Sequence, residues 1–97
     1  MKSNLTNFYE LHPEYDSRQS FYGKALVEEK ENGEQVLYSY MTIVAKCNPK
    51  EKTAKIYGGY EYENLTNTTL RHIREFLKQN GMPTGTKKEL IKMYCKD

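Results

Sequence analysis

The segment TLRHIREFLKQNG, residues 69–81, constrains the fold more than any other part of this 97-residue chain. Four of its apolar side chains recur at helical spacing: Leu70, Ile73, Phe76 and Leu77. They fall within one third of a helix circumference, so one side of the helix must be buried. Thr66 has the chemistry of an N-cap, and Asn80-Gly81 followed by Pro83 is typical of a helix end. The pattern predicts an amphipathic helix that packs on another layer of structure.

A second, shorter helix is predicted after Thr86. Thr86 and Glu89 have the T-x-x-E spacing of a capping box, in which each side chain bonds the other residue's backbone N–H. Four apolar residues cluster on its predicted inner side: Leu90, Ile91, Met93 and Tyr94. This helix therefore adds a second element to the same core.

The residues before the helices predict three antiparallel strands. From Ser20 the sequence alternates with a period of two, which indicates a first strand that contains Val27. Asn32-Gly33 is typical of a tight hairpin, and it leads into a long second strand at residues 36–47. A third strand is predicted at residues 53–57. The expected fold is α+β, a three-stranded antiparallel sheet packed by one main helix and a short second helix, in the order βββαα.

The alternation along the second strand also predicts which side chains form the core. Leu37, Met41, Ile43 and Ala45 are expected on the face that meets the long helix, together with Val27 of the first strand. Tyr38, Tyr40, Thr42 and Val44 are expected on the opposite face. The opening residues 1–17 lack sustained periodicity and predict a mobile or loosely docked N-terminal arm, and residues 18–97 are predicted to form a single domain.

Composition excludes several classes of protein. There is no apolar run of about 18 residues for a membrane span, and the N-terminus lacks the apolar segment of a secretory signal, so a cytoplasmic location is expected. Cys47 and Cys95 are then expected to be reduced, and with His12 and His72 they show no metal-ligand spacing. We expect no metal, no other cofactor and no catalytic residue, hence no enzyme. Glu75, three residues after His72, is predicted to be a surface partner of it.

Tyrosine is abundant, with nine residues and no tryptophan. We predict a tyrosine-rich binding face that contains Tyr22, Tyr38, Tyr40 and Tyr57, extended by Tyr60 and Tyr62. Glu28 and Glu31, from the acidic stretch EEKENGE, are expected at its charged tip. Tyrosine is typical of protein interfaces and of stacking platforms for single-stranded nucleic acid, but it also suits a plain solvated sheet face. The sequence leaves these alternatives open.

Basic residues concentrate in the last third of the chain. Residues 1–63 carry eight Lys and Arg against ten Asp and Glu, and residues 64–97 carry seven against three, net −2 and +4. The candidates for contact with phosphates lie on the two helices: Arg71, Arg74, Lys78, Lys88 and Lys92. Such rows of basic residues, which we call the basic stripes, are typical of solvated helix faces. They are also the residues with which a nucleic-acid-binding protein contacts phosphates.

Three stretches carry a resemblance to a known family: FYGKA at 21–25, VLYSYMTIVA at 36–45 and TLRHIREFLKQNG at 69–81. Over residues 20–81 the chain resembles a family of small uncharacterised proteins encoded by phages, prophages and plasmids of Gram-positive bacteria. The resemblance implies an accessory protein of a mobile element that acts in a bacterial cytoplasm. Small proteins of that setting commonly bind a host or phage macromolecule stoichiometrically.

Two functions follow as hypotheses. The favoured one is a non-enzymatic protein that binds and inhibits a host protein or nucleoprotein complex, such as a defence nucleoprotein in the manner of an anti-CRISPR protein. An acidic, aromatic surface could occupy a groove built for nucleic acid. The alternative is a small DNA-binding module, with the exposed sheet face in a groove and the basic helix residues on phosphates. A net charge of only +2 is low for the alternative.

Overall fold

The computed structural model of the chain describes residues 7–18, 20–57 and 66–95. Its elements are β1 (Asn7–Glu10), β2 (Ala25–Glu29), β3 (Gln35–Ser39), β4 (Thr42–Asn48), β5 (Thr53–Ile56), α1 (Asn67–Gln79) and α2 (Lys87–Tyr94). The α+β class, the antiparallel sheet and the two helices are confirmed. The predicted number of strands was wrong, because the sheet has five strands rather than three.

The sheet is a meander in which each strand pairs with the next along the chain, in the order β1-β2-β3-β4-β5. The predicted hairpin at Asn32-Gly33 is confirmed as the connection between β2 and β3. Gly33 has φ +92°, a backbone angle that glycine adopts at little steric cost. The turn is closed by a hydrogen bond from the Lys30 N–H to the Glu34 carbonyl at 2.9 Å.

The predicted long second strand is two strands, β3 and β4, and the chain reverses between them at Tyr40 and Met41. Both residues have positive φ, 52° and 69°. Such angles suit the two-residue turns that match the twist of a sheet, but Asn and Gly are the residues that usually adopt them. Tyrosine and methionine are not typical turn residues, so the sequence pattern predicted one continuous strand across the reversal.

The reversal changes which side chains are buried. Met41 and Ile43, predicted in the core, are 79% and 45% exposed, so that part of the core prediction was wrong. Leu37 and Ala45 are buried as predicted. The β3–β4 register shifts between Leu37 and Tyr38, and this bulge brings Val44, predicted on the opposite face, into the core.

Strand β1 lies within the segment predicted as an arm, and the sequence prediction misses it. It pairs antiparallel with β2 along its whole length, and Leu11, the residue that follows it, is buried. The next residues bind α1 through Glu75, whose carboxylate accepts the backbone N–H groups of Glu14 and Tyr15 at 2.8 and 2.9 Å. The described part of this segment is therefore docked on both the sheet and a helix.

Both helices begin at the predicted caps. The Thr66 hydroxyl accepts the backbone N–H of Thr69 at 3.2 Å, and Thr86 and Glu89 form the reciprocal capping box. Helix α1 contacts β3 and β4, while α2 contacts β5. Met93, predicted on the inner side of α2, is exposed.

Both helices pack on one face of the sheet and form the main core with it. Its buried side chains include Ala25, Val27, Leu37, Ala45, Cys47, Ile56, Leu70, Ile73, Phe76, Leu77, Leu90 and Tyr94. The strand residues in this set alternate along their strands, so the residues between them point to the other side. Neither α1 nor α2 covers that other side, which we call the open face.

Candidate functional site

The open face has an apolar centre made by neighbouring strands. Leu26 lies opposite Tyr38 across β2 and β3, and Tyr38 lies opposite Ile43 across β3 and β4. The ring of Phe8 on β1 is 5.9 Å from the ring of Tyr38, centroid to centroid. Phe8 is 57% exposed and Ile43 is 45% exposed. Aromatic and aliphatic side chains that share a solvent-exposed sheet face form a surface suited to contact with another molecule.

Charged side chains lie on the two sides of this apolar centre. Glu28 accepts a hydrogen bond from the Tyr38 hydroxyl at 2.9 Å, and this bond raises the pKa of the tyrosine. On the far strands, Lys46 of β4 lies directly opposite Lys55 of β5. Glu34 lies 3.5 Å from the Lys46 ammonium, and Tyr57 and Glu34 raise the pKa of Lys46, so the surroundings of Lys46 favour its charged form. The open face is thus acidic towards β1 and β2 and basic towards β4 and β5.

A second candidate site lies at the end of the sheet where β3 turns into β4. It is a cleft of about 220 Å³, which we call the turn cleft. Its lining residues are Arg18, Ser20, Phe21, Tyr22, Lys24, Tyr40, Thr68, Arg71 and His72. Three of these are cations, Arg18, Lys24 and Arg71, and two are exposed tyrosines. The cleft therefore combines positive charge with aromatic rings.

His72 forms the buried wall of the turn cleft. Its Nδ1 lies 2.8 Å from the Ser39 hydroxyl, and its ring meets that of Phe21 edge-on at 4.6 Å. Burial lowers the pKa of His72 from 6.5 to about 4, so the ring is neutral near pH 7. Serine and histidine at this distance could form a nucleophile and a base, but Ser39 and His72 are only 2% and 1% exposed. A substrate cannot reach such a pair, and its geometry is that of a satisfied buried polar contact.

The structure divides the predicted tyrosine face between several places. Tyr38 and Glu28 meet on the open face, whereas Tyr22 and Tyr40 line the turn cleft. Glu31 lies in the β2–β3 turn, at the opposite end of the sheet from the turn cleft.

Of the remaining predicted tyrosines, Tyr57 lies at the lysine side of the open face, where it raises the pKa of Lys46. Tyr57 follows β5, where its ring lies 5.6 Å from the Lys55 ammonium. Tyr60 and Tyr62 lie outside the described residues. The described tyrosines of the prediction are thus divided between the open face, with Tyr38 and Tyr57, and the turn cleft, with Tyr22 and Tyr40.

The predicted basic stripes are divided as well. The Arg71 guanidinium donates to Asp16 at 2.9 Å and also lines the turn cleft. Arg74 donates through Nε to the Gly85 carbonyl at 2.8 Å, so it ties α1 to the loop before α2. The other three candidates, Lys78, Lys88 and Lys92, are exposed on the helices, and the Lys78 ammonium lies 5.9 Å from the Tyr15 ring.

Sequence reasoning missed several residues of these sites, including Phe8, Lys46 and Lys55 of the open face and Arg18 and Lys24 of the turn cleft. Phe8 was hidden in the predicted arm, because a four-residue strand is too short to show an alternation. Lys24 and Arg18 carry no motif, and they reach the turn cleft only because the chain turns at Tyr22-Gly23 before β2 begins. The turn signal at Gly23 was present but was read as part of a strand.

Metal binding and membrane insertion find no support in the described residues. Within residues 7–18, 20–57 and 66–95, no cluster of three or more His, Cys, Asp or Glu side chains is placed to bind a metal ion. Helices α1 and α2 both lack the length and apolar character that a bilayer span requires.

Fold and site together define a small α+β domain in which α1 and α2 cover one face of a five-stranded meander. The chain belongs to DUF8033, a family of unknown function, whose profile matches residues 9–92. The matched region begins in β1 and ends in α2, so it includes the turn cleft and the open face except for Phe8. No curated protein and no solved structure matches the chain significantly.

Proposed function

We propose that the protein is a non-enzymatic accessory protein of a mobile element that binds and inhibits a host protein through the open face. The observation that carries the proposal is the apolar centre of that face, where Phe8, Tyr38 and Ile43 meet without a covering helix. Protein interfaces typically have an apolar, aromatic centre inside a polar rim. The target class, a defence nucleoprotein bound in anti-CRISPR fashion in a bacterial cytoplasm, rests on the resemblance to phage and plasmid proteins.

The charged residues around the apolar centre would orient a bound partner. Glu28 lies beside Tyr38, and Lys46 and Lys55 lie together on the far strands. A partner with the reverse arrangement would be steered into one orientation, since complementary charge acts mainly on association rate and specificity. Lys46 and Lys55 would pair with carboxylates of such a partner.

The alternative proposal is a DNA-binding module that uses the same face. The lysine pair Lys46 and Lys55 favours it, because two cations on an exposed sheet can contact phosphates. Glu28 on the same face opposes it, since a carboxylate repels the backbone of a duplex. Arg74 is also engaged with the Gly85 carbonyl and is less available than a free surface arginine. We therefore place protein binding first.

The test is capture of a partner from lysate of a Gram-positive host by the wild-type chain and by two variants, with and without nuclease. The double variant Phe8→Ser and Ile43→Ser removes the apolar centre of the open face. The matched control is Met93→Ser, an exposed apolar residue of α2 on the other side of the molecule. We expect one protein to be recovered independently of nuclease by the wild type and the control, and lost with the double variant.

The captured protein, once purified, allows a sharper measurement. Removal of the two apolar side chains should weaken binding by about 2 to 4 kcal/mol, the range of central interface residues, mainly through faster dissociation. Equal affinity of the double variant and the wild type would contradict the proposal. Recovery that disappears with nuclease, together with direct binding of purified duplex DNA, would support the alternative.

A further inference from the structure

The backbone around the turn cleft is strained at positions where strain is avoidable. Tyr22 and Tyr40 have φ of 55° and 52°, in the left-handed region that non-glycine residues rarely adopt. Asparagine or glycine would form both turns without that cost. Core packing does not explain the tyrosines, because Tyr22 is 76% exposed and Tyr40 is 52% exposed. Strained residues with exposed side chains cluster at binding sites, where the strain fixes the side chain in place.

The cations of the turn cleft indicate the charge of its ligand. Arg18, Lys24 and Arg71 all line it. Two carboxylates accept hydrogen bonds from residues around the cleft, but neither carboxylate is a lining residue. Asp16 accepts from Arg71, and Glu10 accepts the backbone N–H of Gly23 at 2.8 Å. His72 is neutral near pH 7 and adds no charge. Asp16 offsets the charge of Arg71, and its charge also acts on His72, so Arg18 and Lys24 supply the positive charge that an anion-binding site requires.

A positive charge and an aromatic ring lie next to each other within the cleft. The Lys24 ammonium lies 5.7 Å from the centre of the Tyr40 ring. A ligand that used both would carry an anion beside a planar group. The volume of about 220 Å³ is below the roughly 300 to 1,000 Å³ of pockets that enclose a whole small molecule. The cleft would therefore hold one such unit while the rest of the ligand stays outside.

We propose that the turn cleft binds one nucleotide unit, with its phosphate on Arg18 and Lys24, beside the Arg71–Asp16 pair, and its base stacked on Tyr40. Base stacking on tyrosine beside basic side chains is the usual recognition of single-stranded nucleic acid. The same chemistry is present in a free mononucleotide and in one nucleotide of a strand. This site is separate from the open face and does not depend on the proposed function.

The experiment measures affinity at low salt for thymidine monophosphate, thymidine, inorganic phosphate and a short thymidine oligonucleotide. The monophosphate should bind about tenfold tighter than either half alone, which is a difference of about 1.4 kcal/mol. Tighter binding of the oligonucleotide than of the monophosphate assigns the site to single strands, and equal affinity assigns it to free nucleotides. A monophosphate no better than phosphate, or phosphotyrosine that binds more tightly than the monophosphate, overturns the proposal.

Variants locate the binding in the turn cleft. Arg18→Gln and Lys24→Gln should each lower the affinity and, for the oligonucleotide, reduce the slope of log affinity against log salt by about 0.7. The matched control is Lys50→Gln, an exposed lysine in the β4–β5 turn at the other end of the sheet, which should change neither. Tyr40→Asn removes the ring and relieves strain, so its loss of affinity cannot be attributed to unfolding.

Two results separate this site from the open face. The double variant Phe8→Ser and Ile43→Ser should lose the partner protein and keep nucleotide binding. Tyr40→Asn should lose nucleotide binding and keep its melting temperature or raise it. Full affinity in Tyr40→Asn, or equal losses in Lys24→Gln and Lys50→Gln, would show that nucleotide binding, if present, occurs elsewhere and would overturn the assignment.

Discussion

A single buried imidazole makes the stability of this domain depend on pH. His72 is 1% exposed, and burial lowers its pKa from 6.5 to about 4 in the folded state. The unfolded chain therefore binds a proton at higher pH than the folded chain does. The stability that the neutral ring contributes is present above pH 6.5 and is lost as the pH falls towards 4.

We expect the free energy of unfolding to fall by about 2 kcal/mol between pH 7 and pH 5 because of His72 alone. Urea unfolding at the two pH values measures the difference. His72→Gln should remove most of this pH dependence, while His12→Gln, at an exposed histidine, should leave it in place. An unchanged dependence in His72→Gln would contradict the assignment to the buried ring.

Glu75 shows how burial changes the role of a residue that sequence alone places on the surface. It was predicted to be a surface partner of His72, yet it is 1% exposed. Its carboxylate accepts the backbone N–H groups of Glu14 and Tyr15 and the side-chain amide of Gln79. The helix pattern could not reveal this role, because the two backbone donors come from a segment some 60 residues earlier in the chain.

The two hairpins at the centre of the sheet illustrate which turns a sequence can predict. Asn32-Gly33 has the residues that its backbone requires, so the β2–β3 turn was found. Tyr40-Met41 does not, so the β3–β4 turn was missed and one long strand was predicted in its place. The capping residues Thr66 and Thr86 were predicted for the same reason as Asn32-Gly33. In each case the residues that form the cap or turn are themselves of the type that this local structure prefers. The turn cleft was missed because its residues meet only through tertiary structure.

The strained turn makes a stability prediction. The double variant Tyr40→Asn and Met41→Gly puts preferred residues at φ 52° and 69°. It should raise the free energy of unfolding by about 1 kcal/mol, because the relieved strain exceeds the loss of contacts between the exposed Tyr40 ring and its neighbours. In thermal unfolding a domain of this size should then melt about 4 to 8 °C higher.

The opposite change at the other hairpin is the control. Gly33→Ala places a Cβ at φ +92°, and the nearest heavy atom, a side-chain carbon of Lys50, is 3.9 Å away, so the substitution introduces backbone strain without a clash. It should lower stability by about 1 kcal/mol. A Tyr40→Asn and Met41→Gly variant that melts below the wild type would mean that the Tyr40 and Met41 side chains stabilise the turn by contacts stronger than its strain.

Among the residues that the structure describes, α1 and α2 cover one face of the sheet and leave the other uncovered, and this division limits what alternation alone could predict. A period of two shows that two faces exist, but it does not say how the faces continue across a hidden turn or a bulge. Val27 and Leu37 precede the Tyr40-Met41 turn and were assigned to the correct face. Met41 lies in the turn and Ile43 follows it, and both were wrongly assigned to the core. Ala45 follows the same turn and is buried as predicted. The predicted α+β class was nevertheless correct, because it depends on α1 and on the pairing of strands and not on which face each side chain occupies.

The layered architecture predicts a large loss of stability for one side-chain truncation and a small loss for another. Phe76 on α1 is fully buried against the sheet, so Phe76→Ala should lower the free energy of unfolding by about 3 to 5 kcal/mol, a large part of the stability of a small domain. Ile43 lies on the open face, so Ile43→Ala should cost less than about 1 kcal/mol, even though the sequence pattern placed both residues in one core. Urea unfolding of the two variants measures the contrast. Similar losses for both would mean that the open face is covered in solution, and a small loss for Phe76→Ala would contradict the packing of α1 on the sheet.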